Sequence, residues 1–256
     1  MELGVYSGCI VGDTLRDKFV ALRDIGYDFL ELALRRDDLP AVREGWEEEL
    51  RELAEETSIP VKSLTWGGFP EFGRGRKDPD RREQVVEDVV EMVRFARRLG
   101  ADVILLPVWE GEGLNYEEGL ELYREGLRPC VEVAEAERVT LALEHIPGSK
   151  FANTGLAIGE VARAVGSDLM RVYYDIGNDS HIGQDPVKSL TKLGSLVAQV
   201  HLKGTREKTL AAMPLAEIRQ VFTKADFSGR GAVEIGGKVT NDHLVEALRV
   251  LRTFGF

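Results

Sequence analysis

Four side chains of the kinds that bind metal ions each lie near the C-terminal end of a short apolar run. They are Glu144 in VTLALEHI, Asp175 in MRVYYDIGN, His201 in VAQVHLKG and Glu234 in GAVEIGG. A carboxylate or an imidazole is costly to bury among Val, Leu and Ala unless a partner or a metal ion compensates it. Because the four residues follow one another at intervals of 31, 26 and 33 residues, we interpret them as one site built from four consecutive strand–helix units.

Two glutamates, one aspartate and one histidine form a ligand set for a divalent cation that accepts oxygen together with one imidazole. Mn²⁺ fits this set best, and Mg²⁺, Co²⁺ and Zn²⁺ are the alternatives. Since no cysteine belongs to the set, a structural zinc site is not expected. The competing interpretation is that Glu144 and Glu234 pair with basic residues of the same strands, such as Arg171 and Lys203.

Strand alternation assigns the four residues to one face of the sheet, because successive side chains of a strand point to opposite faces. His145 then points away from Glu144, and we expect it to pack or form a hydrogen bond at the strand end. The shared face carries small and polar residues, whereas the opposite face carries Leu, Val and Ile, as in strands that pack outward against helices. The companions on the shared face are Thr140 and Ala142, then Arg171 and Tyr173, then Val197, Gln199 and Lys203, and finally Ala232.

These strands belong to a regular alternation of strands and helices. We predict strands near 2–11, 29–34, 59–66, 102–109, 139–146, 170–178, 197–204 and 231–237, and helices near 14–25, 40–56, 80–99, 116–137, 154–166, 186–193, 214–225 and 240–253. Alternation of this kind implies a parallel sheet. Eight repeats of about thirty residues indicate an α/β fold, a single (β/α)₈ TIM barrel over residues 1–256, with its active site at the C-terminal ends of the strands. An open doubly wound sheet is the alternative, but it brings four strand ends to one centre less readily.

Composition narrows the functional classes. The net charge of −11 disfavours non-specific nucleic-acid binding, which depends on Lys and Arg contacts to phosphate. The sequence has no apolar stretch of membrane-spanning length and opens on a strand rather than a basic and apolar leader, so no membrane partner is expected. Cys9 and Cys130 provide no disulfide framework, so a reducing cytoplasm is the expected location.

The motifs around the candidate ligands resemble one known family in their order and spacing. Residues 26–32 read GYDFLEL, which is similar to the second-strand motif of the sugar phosphate isomerase/epimerase group of xylose isomerase-like TIM barrels. The similarity continues through LALEH at 141–145, YDIGN at 174–178, VHLK at 200–203 and VEI at 233–235. Each motif alone is weak, but in this order they are specific, and the resemblance covers essentially the whole chain.

The resemblance implies that Glu144, Asp175, His201 and Glu234 bind one divalent metal ion, and that Glu144 and Glu234 also act as an acid/base pair. Removing a proton beside a carbonyl creates an enediolate, whose charge a cation can stabilise. Two carboxylates on opposite sides of the enediolate can remove a proton and return one. Return to the opposite face of the same carbon gives epimerisation, and return to the neighbouring carbon gives isomerisation. We therefore expect a ketose, a keto-polyol or a sugar phosphate as the substrate.

Seven residues are candidates for substrate binding. Glu31 faces inward on the second strand, where it either supports the metal centre from behind or forms an internal salt bridge. Trp66 and Trp109 end the third and fourth strands, where each would wall the pocket or cap the barrel. His181 lies in the loop after the sixth strand, where relatives often contact the substrate. The remaining candidates are Asn178, Lys203 and Arg206.

The segment 67–79, GGFPEFGRGRKDP, is predicted to be a mobile lid over the barrel mouth, because it is too rich in glycine to pack. Its basic residues, with others after the seventh strand, are candidates to hold a phosphate or carboxylate of the substrate. The alternative is a solvated loop with incidental charge. The residues in question are Arg74, Arg76, Lys77, Arg206 and Lys208.

Three other functions stay open, and a homodimer or homotetramer is compatible with each. A dehydratase acting on a keto-inositol would use the same enolisation but expel a hydroxyl group. A binding or regulatory barrel would keep the metal site without turnover, because residues 209–214 read TLAAMP where many relatives have G-E-G. A repair nuclease related to endonuclease IV is the remote option, since Trp66, Trp109 and Asn178 stand where those enzymes have extra metal-binding histidines.

Overall fold

The computed structural model describes residues 1–110, 114–205 and 207–256. Within these residues the chain forms eight parallel strands that close into a barrel in the order β1 to β8. This confirms the predicted TIM barrel and excludes the open sheet. The strands are β1 Leu3–Tyr6, β2 Phe29–Leu34, β3 Val61–Trp66, β4 Val103–Val108, β5 Thr140–His145, β6 Met170–Asp175, β7 Val197–Leu202 and β8 Arg230–Val233.

Helices surround the barrel, and their ends follow from local sequence. Thr14 caps the first helix with its hydroxyl and Asp78 caps the fifth with its carboxylate, while Gly26 and Gly100 end the same two helices in the left-handed conformation. The helices within the described residues are α1 Leu15–Ile25, α2 Leu39–Arg43, α3 Glu47–Thr57, α4 Pro70–Arg74, α5 Pro79–Leu99, α6 Tyr116–Gly126, α7 Arg128–Glu137, α8 Gly155–Val165, α9 Ile176–His181, α10 Pro186–Leu193, α11 Leu215–Lys224 and α12 Asn241–Thr253.

Two predicted helices are each divided in the structure. The helix expected at 40–56 is interrupted at Gly45, which takes a positive φ of 91°. The helix expected at 116–137 becomes α6 and α7, because Pro129 near the start of α7 has no backbone N–H with which to continue α6. The strand expected at 170–178 ends at Asp175, whose side chain accepts the N–H groups of Gly177 and Asn178 and so begins α9.

Apolar side chains form one layer of the barrel interior. This layer consists of Val103, Leu105, Ala142, Tyr173 and Ala198. Ala198 is an extra residue in β7, since Val172 pairs with Val197 but Tyr173 pairs with Gln199. This bulge corrects the predicted alternation at one position, because Val197 belongs to the core outside the barrel. Gln199 and His201 keep their predicted inward orientation.

The segment 67–79 does pack, so the expectation that it is too rich in glycine to do so is wrong. Residues 70–74 form α4, and the rings of Phe69 and Phe72 are buried and stacked with centroids 5.7 Å apart. Tyr123 of α6 covers Phe72 at 5.2 Å. A glycine is needed at position 73, since a Cβ there would lie 2.2 Å from the carbonyl oxygen of Trp109. The aromatic side chains between the glycines anchor this segment over the end of β4.

Candidate metal centre

The four predicted ligands meet at the C-terminal mouth of the barrel. One potential ligand atom from each of Glu144, Asp175, His201 and Glu234 lies within 4.8 Å of the others, so the group could hold one metal ion. The first three side chains are buried, whereas the side chain of Glu234 is 26% exposed. The centre is therefore closed by β5, β6 and β7 and opens toward solvent beside Glu234.

His201 divides its two ring nitrogens between this centre and the barrel interior. Its Nδ1 lies 3.2 Å from Oε1 of Glu144, 3.1 Å from Oε2 of Glu234 and 3.8 Å from the Asp175 carboxylate. Its Nε2 lies 2.8 Å from Oε1 of Glu31. A carboxylate on the far side of a ligating histidine fixes the orientation of the ring and makes it a better ligand. Glu31 thus takes the supporting position behind the centre.

Asp175 offers one oxygen to the centre and uses the other for local structure. Oδ1 accepts the backbone N–H groups of Gly177 at 2.8 Å and Asn178 at 2.9 Å. Oδ2 is buried, and Nζ of Lys203 lies 2.6 Å from it in an ion pair. A buried carboxylate oxygen that already faces a cationic group is also a suitable ligand for a divalent cation. With the mixed oxygen and nitrogen donors, this oxygen makes the site fit a divalent ion.

The alternative that the glutamates pair only with basic strand residues is realised for one of them. Nζ of Lys203 lies 3.0 Å from Oε2 of Glu234 as well as close to Asp175. Arg171 instead donates to the backbone carbonyls of Ser195 and Val197. Lys203 therefore offsets part of the negative charge at the centre, and Arg171 stabilises the start of β7.

Glu31 is held by side chains from three other strands, β3, β6 and β7. Ser63 and Thr65 of β3 donate hydroxyl hydrogen bonds to its carboxylate at 3.0 and 2.9 Å. The hydroxyl of Tyr173 and the amide of Gln199 donate to the same carboxylate. Burial opposes the charged form of Glu31, but the charge of His201 and these hydrogen bonds lower its pKa below the usual value. The network below the centre is therefore anionic and rigidly placed.

The pKa values of the two candidate acid/base glutamates are pushed apart. Burial raises the pKa of Glu144 and, with smaller repulsion from Asp175 and Glu234, outweighs the hydrogen bond and the charge of His201. For Glu234, burial also opposes ionisation, but His201 and Lys203 hold its pKa well below the usual range. Burial alone would lower the pKa of His201, yet the surrounding carboxylates raise it. Identical side chains thus experience opposite electrostatic environments within one centre.

A buried polar cluster lies outside the barrel, directly behind the ligand-bearing strands. The carboxylate of Asp179 accepts a hydrogen bond from Tyr174 at 2.6 Å and from the N–H of Gly155 at 2.9 Å. Nε2 of His145 lies 3.3 Å from Oδ1 of Asp179. As the alternation predicts, His145 points away from Glu144. The cluster fixes α9 against the ends of β5 and β6.

The remaining predicted substrate contacts occupy different places. Asn178, His181 and Lys203 line a cavity of about 990 Å³ beside Glu234. Trp66 is fully buried in the core outside the barrel, because Ser63 and Thr65 take the inward face of β3, so Trp66 packs there instead of lining the cavity.

Four further predicted residues lie near the mouth or beyond the described part. Trp109 is partly exposed, and the guanidinium of Arg74 lies 5.7 Å from the centre of its ring. Arg76 forms an ion pair with the buried Glu110 at 2.7 Å. Arg206, a predicted substrate contact and phosphate ligand, lies outside the described residues.

Several residues of the centre were not identified from the sequence. The ring of Tyr6 on β1 meets the ring of His201 edge-on at 6.1 Å, and the ring of Tyr173 lies 4.6 Å from it. The inward alternation of β6 and β7 already indicated Tyr173 and Gln199 as neighbours of the ligands. Tyr6 gave no such signal, because β1 carries no candidate ligand from which to count.

The fold and the site define a TIM barrel whose mouth could hold one metal ion between carboxylates and a histidine. Residues 19–254 match the model of the xylose isomerase-like TIM barrel family, and the chain belongs to that family, as the sequence motifs predicted. L-ribulose-5-phosphate 3-epimerase UlaE of Escherichia coli (strain K12) is 28% identical over 227 residues, which cover 85% of this chain and 78% of that protein.

Solved structures share the fold at low sequence identity. D-psicose 3-epimerase with D-tagatose, from Clostridium cellulolyticum H10, superposes with a TM-score of 0.82 at 18% identity over 99% of both chains. The IOLI protein with a binding zinc atom superposes with a TM-score of 0.77 at 18% identity over 99% of this chain and 96% of that one. Among the described residues, no helix combines the length and apolar character needed to cross a membrane.

Proposed function

We propose that this protein is a divalent-metal-dependent epimerase or isomerase of a ketose, a keto-polyol or a sugar phosphate. The observation that carries the proposal is that two glutamates from different strands, Glu144 from β5 and Glu234 after β8, both approach Nδ1 of His201, at 3.2 and 3.1 Å. Two of the proteins named above, L-ribulose-5-phosphate 3-epimerase UlaE and D-psicose 3-epimerase, are sugar epimerases by name, which supports the same class of reaction.

The two carboxylates divide the proton transfers. The partly exposed Glu234 lies at the open side of the centre, and Glu144 lies at its buried side. A carbonyl compound that enters beside Glu234 would therefore lie between the two carboxylates. One carboxylate removes the proton on the carbon next to the carbonyl, and the other returns a proton to the enediolate. Return to the opposite face of the same carbon inverts its configuration. Lys203 holds Glu234 in place through its ion pair at 3.0 Å.

Glu144, Asp175, His201 and Glu234 would hold the metal ion. When bound, a divalent cation stabilises the negative charge that develops on the substrate oxygen. We propose Mn²⁺ because three carboxylates and one imidazole suit a cation that accepts both donor types. Zn²⁺ is supported as an alternative by the IOLI protein, whose structure contains a zinc atom. Glu31, Ser63 and Thr65 keep the histidine in the orientation that such binding requires.

The experiment is conversion of a panel of ketoses, ketose phosphates and keto-inositols by the Mn²⁺-loaded protein, with products identified by NMR. We expect epimerised or isomerised product from at least one panel member, and the Glu234→Gln variant should lose turnover while it still binds that compound. Formation of a dehydrated product would assign a dehydratase. Binding without turnover in the wild-type protein would assign a binding barrel and contradict the proposal.

A control variant separates chemistry from folding. Glu47 is a buried glutamate on α3 that pairs with Arg98 at 2.6 Å, outside the barrel mouth. Glu47→Gln makes the same chemical change as Glu234→Gln and should keep turnover. Loss of turnover in both variants would indicate damage to the fold instead of to the centre.

A further inference from the structure

The cavity beside the candidate metal centre continues beyond the groups that the proposed chemistry uses. Its inner end is bounded by Asn178, Lys203 and Glu234, and its lining continues through residues 235–237 to α12. The whole cavity measures about 990 Å³, which is at the upper limit for sites that enclose drug-sized ligands. A single ketose is smaller than such ligands. Space therefore remains when one sugar occupies the inner end.

The part of the cavity lined by the loop after β7 and by α12, here termed the outer arm, has an apolar floor. Leu202 points outward from β7 because His201 points inward, and it is fully buried. Ala247 and Val250 lie three residues apart on one face of α12 and are 6% and 7% exposed. The outer arm is defined by Leu202, Leu210, Ala211, Ala247 and Val250.

The outer arm has a wall from the loop after β7 and a polar rim from α12. Leu210 and Ala211 belong to the short 3₁₀ turn Leu210–Ala212, in the segment TLAAMP that stands in place of the G-E-G motif. His243 and Glu246 line the cavity from the face of α12 that carries the floor residues. The Glu246 carboxylate is held by Arg249 at 2.6 Å. Polar groups thus border the arm, and apolar side chains form its base.

The chemistry of the outer arm selects an uncharged group. Lys208 of the loop after β7 also lines the cavity, but it is exposed, so solvent screens its charge. A phosphate laid against the floor would lose hydration without a compensating partner from the aliphatic side chains, which is unfavourable. A sugar ring instead presents C–H groups to an apolar surface and hydroxyl groups to a polar rim. Pockets of this composition, apolar with a few polar groups, orient ligands by those few contacts.

We propose that the substrate is a ketose that carries an uncharged glycosyl substituent. Its carbonyl end reaches the candidate metal centre, and the substituent occupies the outer arm. The inference rests on the proposed function, since it assigns the carbonyl end to Glu144 and Glu234. It adds a second subsite, built by the loop after β7 and by α12, that determines which ketose is preferred.

Three compounds that share one ketose test the inference: D-fructose, its 6-phosphate and its 6-O-glucoside, isomaltulose. Binding is measured by calorimetry, and exchange of carbon-bound hydrogen is measured in D₂O, both with the Mn²⁺-loaded protein. We expect isomaltulose to bind at least tenfold more tightly than D-fructose and to exchange with a correspondingly lower KM. The 6-phosphate should bind no more tightly than D-fructose. A preference for the phosphate would overturn the inference.

Substitutions in the 3₁₀ turn connect the preference to the outer arm. Ala211→Trp fills the arm from an exposed position and should reduce the preference for isomaltulose at least tenfold. Ala212→Trp is the matched control, because Ala212 is the next residue of the same turn but lines a different cavity. It should leave the preference within twofold of wild type. A preference that survives Ala211→Trp would place the substituent elsewhere and contradict the inference.

The outcomes for the arm and for the catalytic proposal are separable. Exchange of D-fructose without any preference for isomaltulose keeps the proposed function and overturns the outer arm. Binding of isomaltulose that Ala211→Trp weakens, with no exchange in any compound, supports the arm and contradicts the proposed function. Absence of both binding and exchange overturns both.

Discussion

The side-chain amide of Asn178 donates a hydrogen bond to the backbone carbonyl of His145 at 3.0 Å and so joins the start of α9 to the end of β5. The register between β5 and β6 runs from Leu141 to Leu143 on β5, so Glu144 lies past its last pair. A side chain thus replaces the backbone ladder where two candidate ligands, Glu144 and Asp175, must be held at a fixed separation.

Removal of this cross-strand hydrogen bond should loosen the centre. We expect Asn178→Ala to weaken Mn²⁺ binding by roughly tenfold, as is typical when a group that orients ligands is lost. The dissociation constant is measured by competition with a chromophoric chelator, a readout that is independent of any substrate contact of Asn178. Asn241→Ala is the control, since Asn241 also donates to a backbone carbonyl, that of Val11. Equal Mn²⁺ affinity in both variants would contradict the role of Asn178.

Asp179 should stabilise the fold in a pH-dependent manner. Burial opposes its ionisation, but His145, Tyr174 and the N–H of Gly155 hold its pKa at about 2, below the ordinary value of 3.8. A depressed pKa contributes stability above the ordinary value that is lost as the pH falls toward 2. This shift corresponds to roughly 2 kcal/mol.

The prediction is tested by urea unfolding of the wild type and Asp179→Asn. At pH 7 the variant should be less stable by roughly 2 kcal/mol. The difference in the free energy of unfolding should shrink as the pH falls from 4 toward 2. A difference that stays constant over this range would show that the charge of Asp179 is not what stabilises the cluster.

Glu31 should control the centre without contacting a substrate. Replacement by glutamine keeps the shape but removes the charge that faces Nε2 of His201 at 2.8 Å. We expect Glu31→Gln to lower the affinity for Mn²⁺ by about 10- to 100-fold. Glu47→Gln, the buried control on α3, should leave the affinity unchanged, and the chelator competition assay compares the two. Unaltered affinity in Glu31→Gln would assign Glu31 to the fold alone.

The candidate ligands should bind one divalent ion per chain. Elemental analysis of the Mn²⁺-loaded protein should find the ion in the wild type and not in His201→Ala or Asp175→Ala. Because a ligand that binds only the folded state stabilises it, chelation should lower the Tm of the wild type and leave that of the two variants unchanged. Wild-type protein without any divalent ion after loading would refute the metal centre.

The barrel and the four candidate ligands at its strand ends could be predicted because both depend on local patterns. The sequence places Glu144, Asp175 and His201 within apolar runs, and the alternation of side chains along each strand assigns them to one face of the sheet. β6 is shorter than predicted, because the Asp175 side chain competes for the backbone N–H groups that would otherwise continue the strand. Such competition is decided by side-chain geometry, which hydropathy does not report.

Long-range packing explains the other differences. The glycine content of residues 67–79 predicts an unpacked lid, but Phe72 is buried through contact with Tyr123, 51 residues further along the chain. The inserted Ala198 that turns Val197 outward depends on pairing with β6. The network from Gln199 and Tyr173 to Glu31 joins strands that are distant in sequence. Strand alternation indicates that Tyr173 and Gln199 face inward, but no local pattern shows which distant residues these side chains contact.

The most direct test of the two-carboxylate mechanism is solvent deuterium wash-in, followed by NMR, with the Mn²⁺-loaded protein and a broad panel of ketoses, ketose phosphates and keto-inositols. Enolisation precedes epimerisation and isomerisation alike, so the product need not be known in advance. We predict exchange at a carbon adjacent to the carbonyl of at least one compound, which is lost in Glu144→Gln and in Glu234→Gln. Exchange that persists when both glutamates are replaced would contradict the account.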